Sequence, residues 1–303
     1  MVFYCICIII NMKLSIIIPC HIHNLKRINK FCMCIMSLIN QTQKVNILIS
    51  VGFTSQQLKP IFIDTMDTNN IGMDSHIHFF YHEQPKSQFE HFSFLLPHTT
   101  TEFIMFCDND DMYCSERVER FNNLICNDKN EYSVYLERQE YINITYNEYP
   151  MHVVKRDVFE EFLIKSEKWH YHKYCDMLFS KYLQKYFYQT KTKYINEKLY
   201  LYMKSNDADS VTSQNRFRNK TKGTTVVTSY EDLQKYWNEQ YMIMKDNLFT
   251  IMLTYPDKSL DLCLLEMMGP NFENNRQLMP SRIYQELKQD FEYKRQHLLL
   301  LIS

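Results

Sequence analysis

The chain is poor in glycine, with four in 303 residues. A loop that wraps phosphate in backbone N–H groups needs several glycines close together after a strand. Here the first apolar run is followed by HIHNLKR (21–27), so no loop of that kind is present. Excess charge is lacking too. The 34 Lys and Arg are matched by 35 Asp and Glu, for a net charge of -1. That removes the global basic footprint of a nucleic-acid binder and leaves at most a local patch. No uninterrupted apolar run reaches the length of about 20 residues that a membrane-spanning helix needs. MVFYCICIIINMKLSIII is broken by Asn11 and Lys13, and it has neither a basic n-region nor a clear small-residue cleavage site. There is no internal repeat. The ten cysteines lack zinc spacing: Cys5/Cys7 and Cys32/Cys34 are C-x-C pairs, and the other six lie singly in apolar segments. Reduced thiols behave there as small hydrophobes, so the expectation is a reducing compartment. Asn-x-Thr triplets at Asn40, Asn143 and Asn219 occur at the rate expected of an Asn-rich chain.

Aromatic and apolar residues are plentiful, at 15% and 45%. They suffice for one large domain or two small ones. Over the first 115 residues, strand and helix alternate. LSIII (14–18), ended by Pro19, is the first strand. Leu25, Ile28, Phe31, Cys32, Ile35, Leu38 and Ile39 then recur at helical spacing. VNILISV (45–51), ended by Gly52, is a second buried strand. A helix weakened by Pro60 follows from Ser55 to about Met66, and HIHFFY (76–81) is the third strand. Ser87 and Glu90 form a capping box opening a helix that stops at Pro97. FIMFC (103–107) is the fourth strand. Continuous apolar strands separated by helices predict a parallel sheet covered on both faces. SVYLE (133–137) and EYINITY (140–146) read as half-exposed strands. Helices follow from near Asp157 and over Tyr174 to Phe187, and KYINEKLYLYM (193–203) returns as strand. Residues 205–228 are polar and irregular and include RFRNKTKG (216–223), which reads as a mobile loop. The remainder, from Tyr230, is mostly helical, and its LLLLIS end is expected to be buried.

The chemistry is concentrated in TEFIMFCDNDDMY (101–113), where an apolar strand runs into Asp108, Asn109, Asp110 and Asp111. Three carboxylates at one strand end repel one another. They are tolerable when a cation sits among them or when water surrounds them. Mg²⁺ and Mn²⁺ take oxygen ligands, commonly one or two carboxylates plus substrate phosphates. Open α/β sheets bind ligands outside the carboxyl ends of their strands. The Asp-x-Asp therefore reads as a metal clamp for a nucleotide diphosphate, while the same residues are also good turn and helix-cap chemistry.

Taken in order, these pieces resemble family 2 glycosyltransferases of the GT-A fold, which transfer a sugar from a nucleotide-sugar donor. KLSIIIPCH (13–21) is similar to that family's first strand, and SLINQT (37–42) to its first-helix ending. FCDNDDMY with RVERF (117–121) is similar to its Asp-x-Asp strand and following helix, and VVKRDVFEEF (153–162) to the segment behind the acceptor site. YCDMLFSKYL (174–183) is similar to the helix start that carries the catalytic carboxylate. LYLYMKSNDADSVT (199–212) is similar to the last strand and its Ser-x-Thr ending. The resemblance covers about residues 13 to 212. Three departures stand out. ISVGFTS (49–55) has Ser50 and Val51 where many relatives carry two acidic residues. Cys175-Asp176 replaces a common Glu-Asp. KSNDADS has no His, leaving Asn206 or Asp207 at that place or nothing.

The resemblance implies an α/β, GT-A-like (Rossmann-type) fold with a mostly parallel central sheet, helices on both faces and a helical C-terminal region. The domain division is an apolar extension (1–12), a glycosyltransferase-like domain (13–212), a flexible basic loop (213–229) and a helical region (230–303). Either Met1 or Met12 is the start. For the site, it implies that Asp108 and Asp110 hold Mn²⁺ or Mg²⁺. Asp110 would be the direct ligand, with Asp108 free to reach the ribose or a metal-bound water instead, and Asp111 would cap the next helix. Asp176 would be the general base of an inverting transfer. Pro19, Cys20, His21, Ser50, Gln88, His91 and Asn109 would line the nucleotide-sugar, with packing or capping an equal role for Gln88 and His91. Arg216 and Arg218, with Lys220 and Lys222, would close as a lid or stay solvated. Trp169, His170 and His172 would shape an acceptor platform.

The expected activity is transfer of a hexosyl or related group (EC 2.4 class) from a UDP- or GDP-linked donor to a glycan, protein or lipid. The expected location is the cytoplasm, with membrane contact through residues 1–12 left open. The alternative is a GT-A-shaped binding or scaffold protein without turnover, favoured by the missing acidic residues and His. A nucleotidyltransferase acting on a sugar phosphate is disfavoured by the shortage of glycine.

Overall fold

The computed structural model describes residues 13–128, 131–138, 148–203, 230–268 and 279–302. The chain divides into two compact units, residues 1–203 and 204–303. In the first, strands and helices alternate as β1 (Leu14–Ile22), α1 (Leu25–Ile39), β2 (Asn46–Phe53), α2 (Leu58–Thr68), β3 (Ile77–Tyr81), α3 (Gln88–Leu95) and β4 (Phe103–Phe106). Next come β5 (Met112–Tyr113), α4 (Arg117–Asn127), β6 (Val134–Glu137), β7 (His152–Lys155), α5 (Arg156–Ser166), α6 (Cys175–Tyr186), β8 (Thr192–Ile195) and β9 (Tyr200–Leu201). Seven strands form one sheet in the order β3-β2-β1-β4-β7-β6-β8. Its pairs are parallel except at β7, which runs antiparallel to both β4 and β6. The mostly parallel sheet expected of a GT-A-like α/β chain is therefore present.

The apolar runs explain this arrangement. Ile16, Ile17, Ile18, Ile49, Val51, Ile104 and Met105 are fully buried, as strands covered on both faces require. α1 turns Ile28, Phe31, Cys34, Ile35 and Leu38 inward, and its N-cap Asn24 accepts from Arg27 N–H at 2.9 Å. The Ser87/Glu90 capping box opens α3 as expected.

Several boundaries differ from the sequence reading. β1 continues past Pro19 to Ile22, and β2 past Gly52 to Phe53, because the two strands support each other as far as Ile22↔Phe53. β6 is buried throughout, since β7 and β8 flank it. The segment 193–203 is two strands, and β9 leaves the main sheet to pair with β5. The expected strand at 140–146 lies outside the described residues.

The second unit contains α7 (Tyr230–Thr254), α8 (Leu260–Met268) and α9 (Ser281–Ile302). α7 packs against both other helices, with Leu248, Phe249, Cys263, Leu264, Leu287 and Leu298 buried. Leu301 is buried near the chain end and Leu300 is exposed. No helix among the described residues is long and apolar enough to cross a membrane. The eight cysteines among the described residues are free thiols.

Candidate active site

β1 lies at the point where the sheet changes direction of growth. It pairs with β2 along nearly its whole length, but with β4 only from Leu14 to Ile17. Strands β2 and β3 lie on one side of it and β4 on the other. A crevice outside the carboxyl ends of the strands at such a switch is where open α/β sheets bind ligands. Pro19 sits beyond the last β4 pairing, where β1 has become an edge on that side and a residue without an N–H is tolerated.

The chain leaves β4 at Cys107 and turns at once, with Asp111 N–H donating to Asp108 O at 3.2 Å. The three carboxylates of the turn then diverge. Asp108 Oδ1 accepts from the Tyr149 hydroxyl and from Gln88 Nε2 at 3.2 Å, and Gln88 Nε2 lies 2.9 Å from the same phenol. Burial and the Asp111 and Asp110 charges push the Asp108 carboxyl well above the usual carboxylate range, against the Tyr149 hydrogen bond. Asp110 forms an ion pair with Arg27, in the first turn of α1. Asp111 is buried. Its Oδ2 accepts from the Tyr200 hydroxyl at 2.6 Å and its Oδ1 from Met203 N–H at 2.8 Å. Burial raises it to about 7 despite those bonds. The expected helix-cap role of Asp111 is thus replaced: α4 starts later, after Glu116, and Asp111 ties the turn to the β9 segment instead.

Asp176 lies in the first turn of α6. Its Oδ1 is shielded from solvent and has no hydrogen-bond partner. Burial raises this carboxyl to about 6, the Met177 N–H opposes the rise, and Glu148 adds to it. Asp176 in turn raises Asp108, and Glu148 also raises Asp111. Asp108, Asp110, Asp111, Glu148 and Asp176 therefore form one electrostatically connected group. Glu148, Tyr149 and Tyr200 are absent from the sequence-based site. Their signal was weak: an acid and a phenol ahead of Pro150, and one of the two tyrosines in LYLYM.

Along the β1–β2 edge the chemistry is neutral. Ser50 Oγ lies 2.6 Å from His82 Nε2 and 2.7 Å from His91 Nδ1. His91 is buried, and its Nε2 has no partner. Burial, His82 and His21 push it down to about 3, so the ring is neutral. His21 Nε2 meets Thr54 Oγ1 at 2.9 Å, and its Nδ1 is likewise buried without a partner. Both open nitrogens border Gly52. A Cβ there would sit 3.5 Å from His91 Nε2 and 3.7 Å from His21 Nδ1. Asn109 reaches the same edge, with Nδ2 3.6 Å from Cys20 Sγ, a thiol that burial raises to about 12.

The other expected residues divide. Trp169 and His170 are buried, and His170 is held by Ser93 at 2.9 Å and Ser166 at 3.2 Å. They support the fold and do not form a platform for an acceptor. Arg216, Arg218, Lys220, Lys222, Asn206, Asp207 and residues 1–12 lie outside the described residues.

Among the described residues, no three His, Cys, Asp or Glu side chains converge as a ready-made metal site. The Asp108 and Asp110 oxygens nevertheless suit a hard divalent cation. Both lie in the turn that follows β4, and a Mg²⁺-type site takes its remaining oxygens from substrate phosphate and water.

No known protein-family profile matches the chain, and no curated protein does. Solved structures do match in fold. A crystal structure of S. aureus TarS is similar at TM-score 0.50 and 15% identity, covering 92% of this chain and 55% of that one. The chain thus spans about half the length of that relative. The TarS 1-349 fragment in complex with UDP-GlcNAc gives TM-score 0.50 at 15% identity, over 93% of this chain and 92% of the fragment. The same fragment with UDP gives 0.50 at 16% identity, with the same coverage. The likeness is one of fold.

Proposed function

We propose that this protein is a divalent-cation-dependent, inverting glycosyltransferase that moves a hexosyl or related group from a nucleoside-diphosphate donor to an acceptor hydroxyl. The observation that carries this reading is Asp176. It is a carboxylate raised to about 6, with an open, shielded oxygen, coupled through charge to the acidic turn at the switch of an α/β sheet. A general base works best when its pKa lies near the operating pH and its oxygen is free to take a proton. The fold likeness to a protein crystallised with UDP-GlcNAc and with UDP supports a nucleotide-sugar donor.

The roles follow from position. His21 and His91 offer neutral, unpartnered nitrogens to the base or ribose, with Ser50 holding the His91 ring through Nδ1. Pro19, Cys20 and Asn109 form the wall of that edge, and Gln88 orients Asp108. Asp108 and Asp110 would hold Mn²⁺ or Mg²⁺, which when bound stabilises charge on the departing diphosphate. Asp176 takes the acceptor O–H proton as that oxygen bonds to the anomeric carbon. The anomeric C–O bond to the diphosphate breaks, and its electron pair leaves with the diphosphate. Arg216 and Arg218 remain candidates for a closing lid. Free thiols suit a reducing location such as the cytoplasm.

A second reading, a binding protein without turnover, is favoured by one observation: Asp110 is already engaged by Arg27 and Asp108 by Tyr149. A screen of nucleotide sugars for Mn²⁺-dependent thermal stabilisation and hydrolysis separates the two, with Asp110→Ala as control. Donor-dependent turnover lost in the variant supports the transferase. Stabilisation without turnover supports the binding protein, and no nucleotide effect at all removes both.

A further inference from the structure

Arg27 and Asp110 form an ion pair that joins the start of α1 to the acidic turn at the end of β4. Their side chains are 18% and 26% exposed, whereas the Arg117–Glu137 pair is fully buried. Arg27 also lies in the first turn of α1, which has no acidic residue there. A cation at a helix N-terminus opposes the macrodipole, so this placement does not serve the helix. The Arg27 N–H is already taken by the Asn24 cap, so it is the guanidinium fork that offers an anion its contacts. Arg27 is also close to the β1 edge, since its charge lowers the proton affinity of both Cys20 and His21. It therefore stands between the neutral histidine edge and the acidic turn. In a donor that spans those two regions, that is where the diphosphate lies.

We propose that Arg27, paired with Asp110, is a diphosphate-binding residue that exchanges onto the donor when a divalent cation takes Asp110. The proposal rests on the nucleotide-sugar reading above. A cation approaching alone must displace a guanidinium that has no other anion to go to. A cation arriving with a diphosphate supplies one, and planar guanidinium binds phosphate oxygens in pairs. Cation and nucleotide then favour each other's binding, as linkage requires of any such coupling. The exchange keeps Asp110 neutralised in both states and restrains the acidic turn from binding metal without substrate.

The test compares the wild-type chain with Arg27→Gln and Arg27→Lys. Mn²⁺ binding without nucleotide is read from the free-Mn²⁺ electron paramagnetic resonance signal, and UDP binding in Mn²⁺ by calorimetry. Thermal unfolding verifies that each variant is folded. Arg27→Gln is expected to bind Mn²⁺ alone about 5-fold tighter or more and UDP about 10-fold more weakly, the loss of one charge-assisted contact. Arg27→Lys, which keeps the charge without the fork, is expected to fall between. Wild-type UDP binding with the same Mn²⁺ and UDP affinities in Arg27→Gln overturns the exchange while leaving the nucleotide-sugar reading intact. Failure of the wild type to bind UDP in saturating Mn²⁺ overturns both.

Discussion

Glu137 couples the buried Arg117 to the segment that carries Tyr200. Its Oε2 accepts from Arg117 Nε at 3.2 Å, and its Oε1 accepts from the Leu199 and Tyr200 N–H groups at 2.6 Å each. Arg117 also donates to Pro150 O at 2.9 Å. One ion pair thus fixes both segments whose phenols hold the acidic turn, Tyr149 on Asp108 and Tyr200 on Asp111. Arg117→Met leaves the Glu137 carboxylate buried without its cation. The expected loss is about 3–5 kcal/mol of stability, measured by urea unfolding. A loss within experimental error would mean that water or a rearranged partner compensates.

The raised carboxyls give stability an unusual pH dependence. Asp176 at about 6, Asp111 at about 7 and Asp108, raised well above the usual carboxylate range by burial and by the Asp111 and Asp110 charges, all hold protons more tightly when folded than when unfolded. Between about pH 4 and pH 7 these three carboxyls bind more protons folded than unfolded, so their contribution to stability is greatest below the unfolded carboxylate pKa and is lost as pH rises through the folded values. The buried neutral rings of His91, at about 3, and His152, at about 4, act in the opposite sense as pH falls. Asp176→Asn isolates one carboxyl, and its melting temperature without metal is expected to gain on that of the wild type between pH 5 and pH 8. Mn²⁺ should raise the wild-type melting temperature more at pH 8, where the carboxylates are ionised. A difference between Asp176→Asn and wild type that is the same at pH 5 and pH 8 would contradict the assignment.

Turnover should depend on pH in the opposite sense. A general base must be ionised, so kcat/KM is expected to fall about tenfold per pH unit below about 6, the value burial imposes on Asp176. A flat profile from pH 5 to pH 8 would remove proton abstraction by Asp176 from the rate-determining step.

Nucleotide affinity should respond to the histidine edge. His91→Phe removes the open Nε2 and should weaken UDP binding by about 3- to 10-fold, the worth of one neutral hydrogen bond. Gly52→Ala places a methyl 3.4 Å from His91 Cε1, in the space between the two open nitrogens. It should lower UDP affinity by a similar factor while changing the melting temperature little. Calorimetric titration of both variants that matches the wild type would move the base to another edge.

Much of this arrangement was legible in the sequence because local signals agreed with one another. The apolar runs at 14–18, 45–51 and 103–107 became adjacent buried strands, and Ser87/Glu90 capped the helix that brings Gln88 and His91 to the site. The illegible parts depend on contacts distant in sequence. Nothing near Asp111 indicates that Tyr200 and Met203, about ninety positions later, will satisfy its carboxylate in place of a helix end. Nor does LKRINK show that Arg27 will meet Asp110. Pro19 and Gly52 suggested strand ends, but mutual β1–β2 pairing outweighed the local breakers. Trp169 and His170 resembled a sugar platform in composition, yet both are buried.

The sugar-transfer account is tested most directly by Asp176→Asn, with nucleotide-sugar turnover and UDP affinity measured on the same preparation. Turnover is expected to fall by about a hundredfold or more, with UDP affinity within about twofold of the wild type, because the amide removes the proton acceptor and keeps the shape of the site. Undiminished turnover in the variant, or a wild-type chain that neither binds nor cleaves any nucleotide sugar, would contradict it.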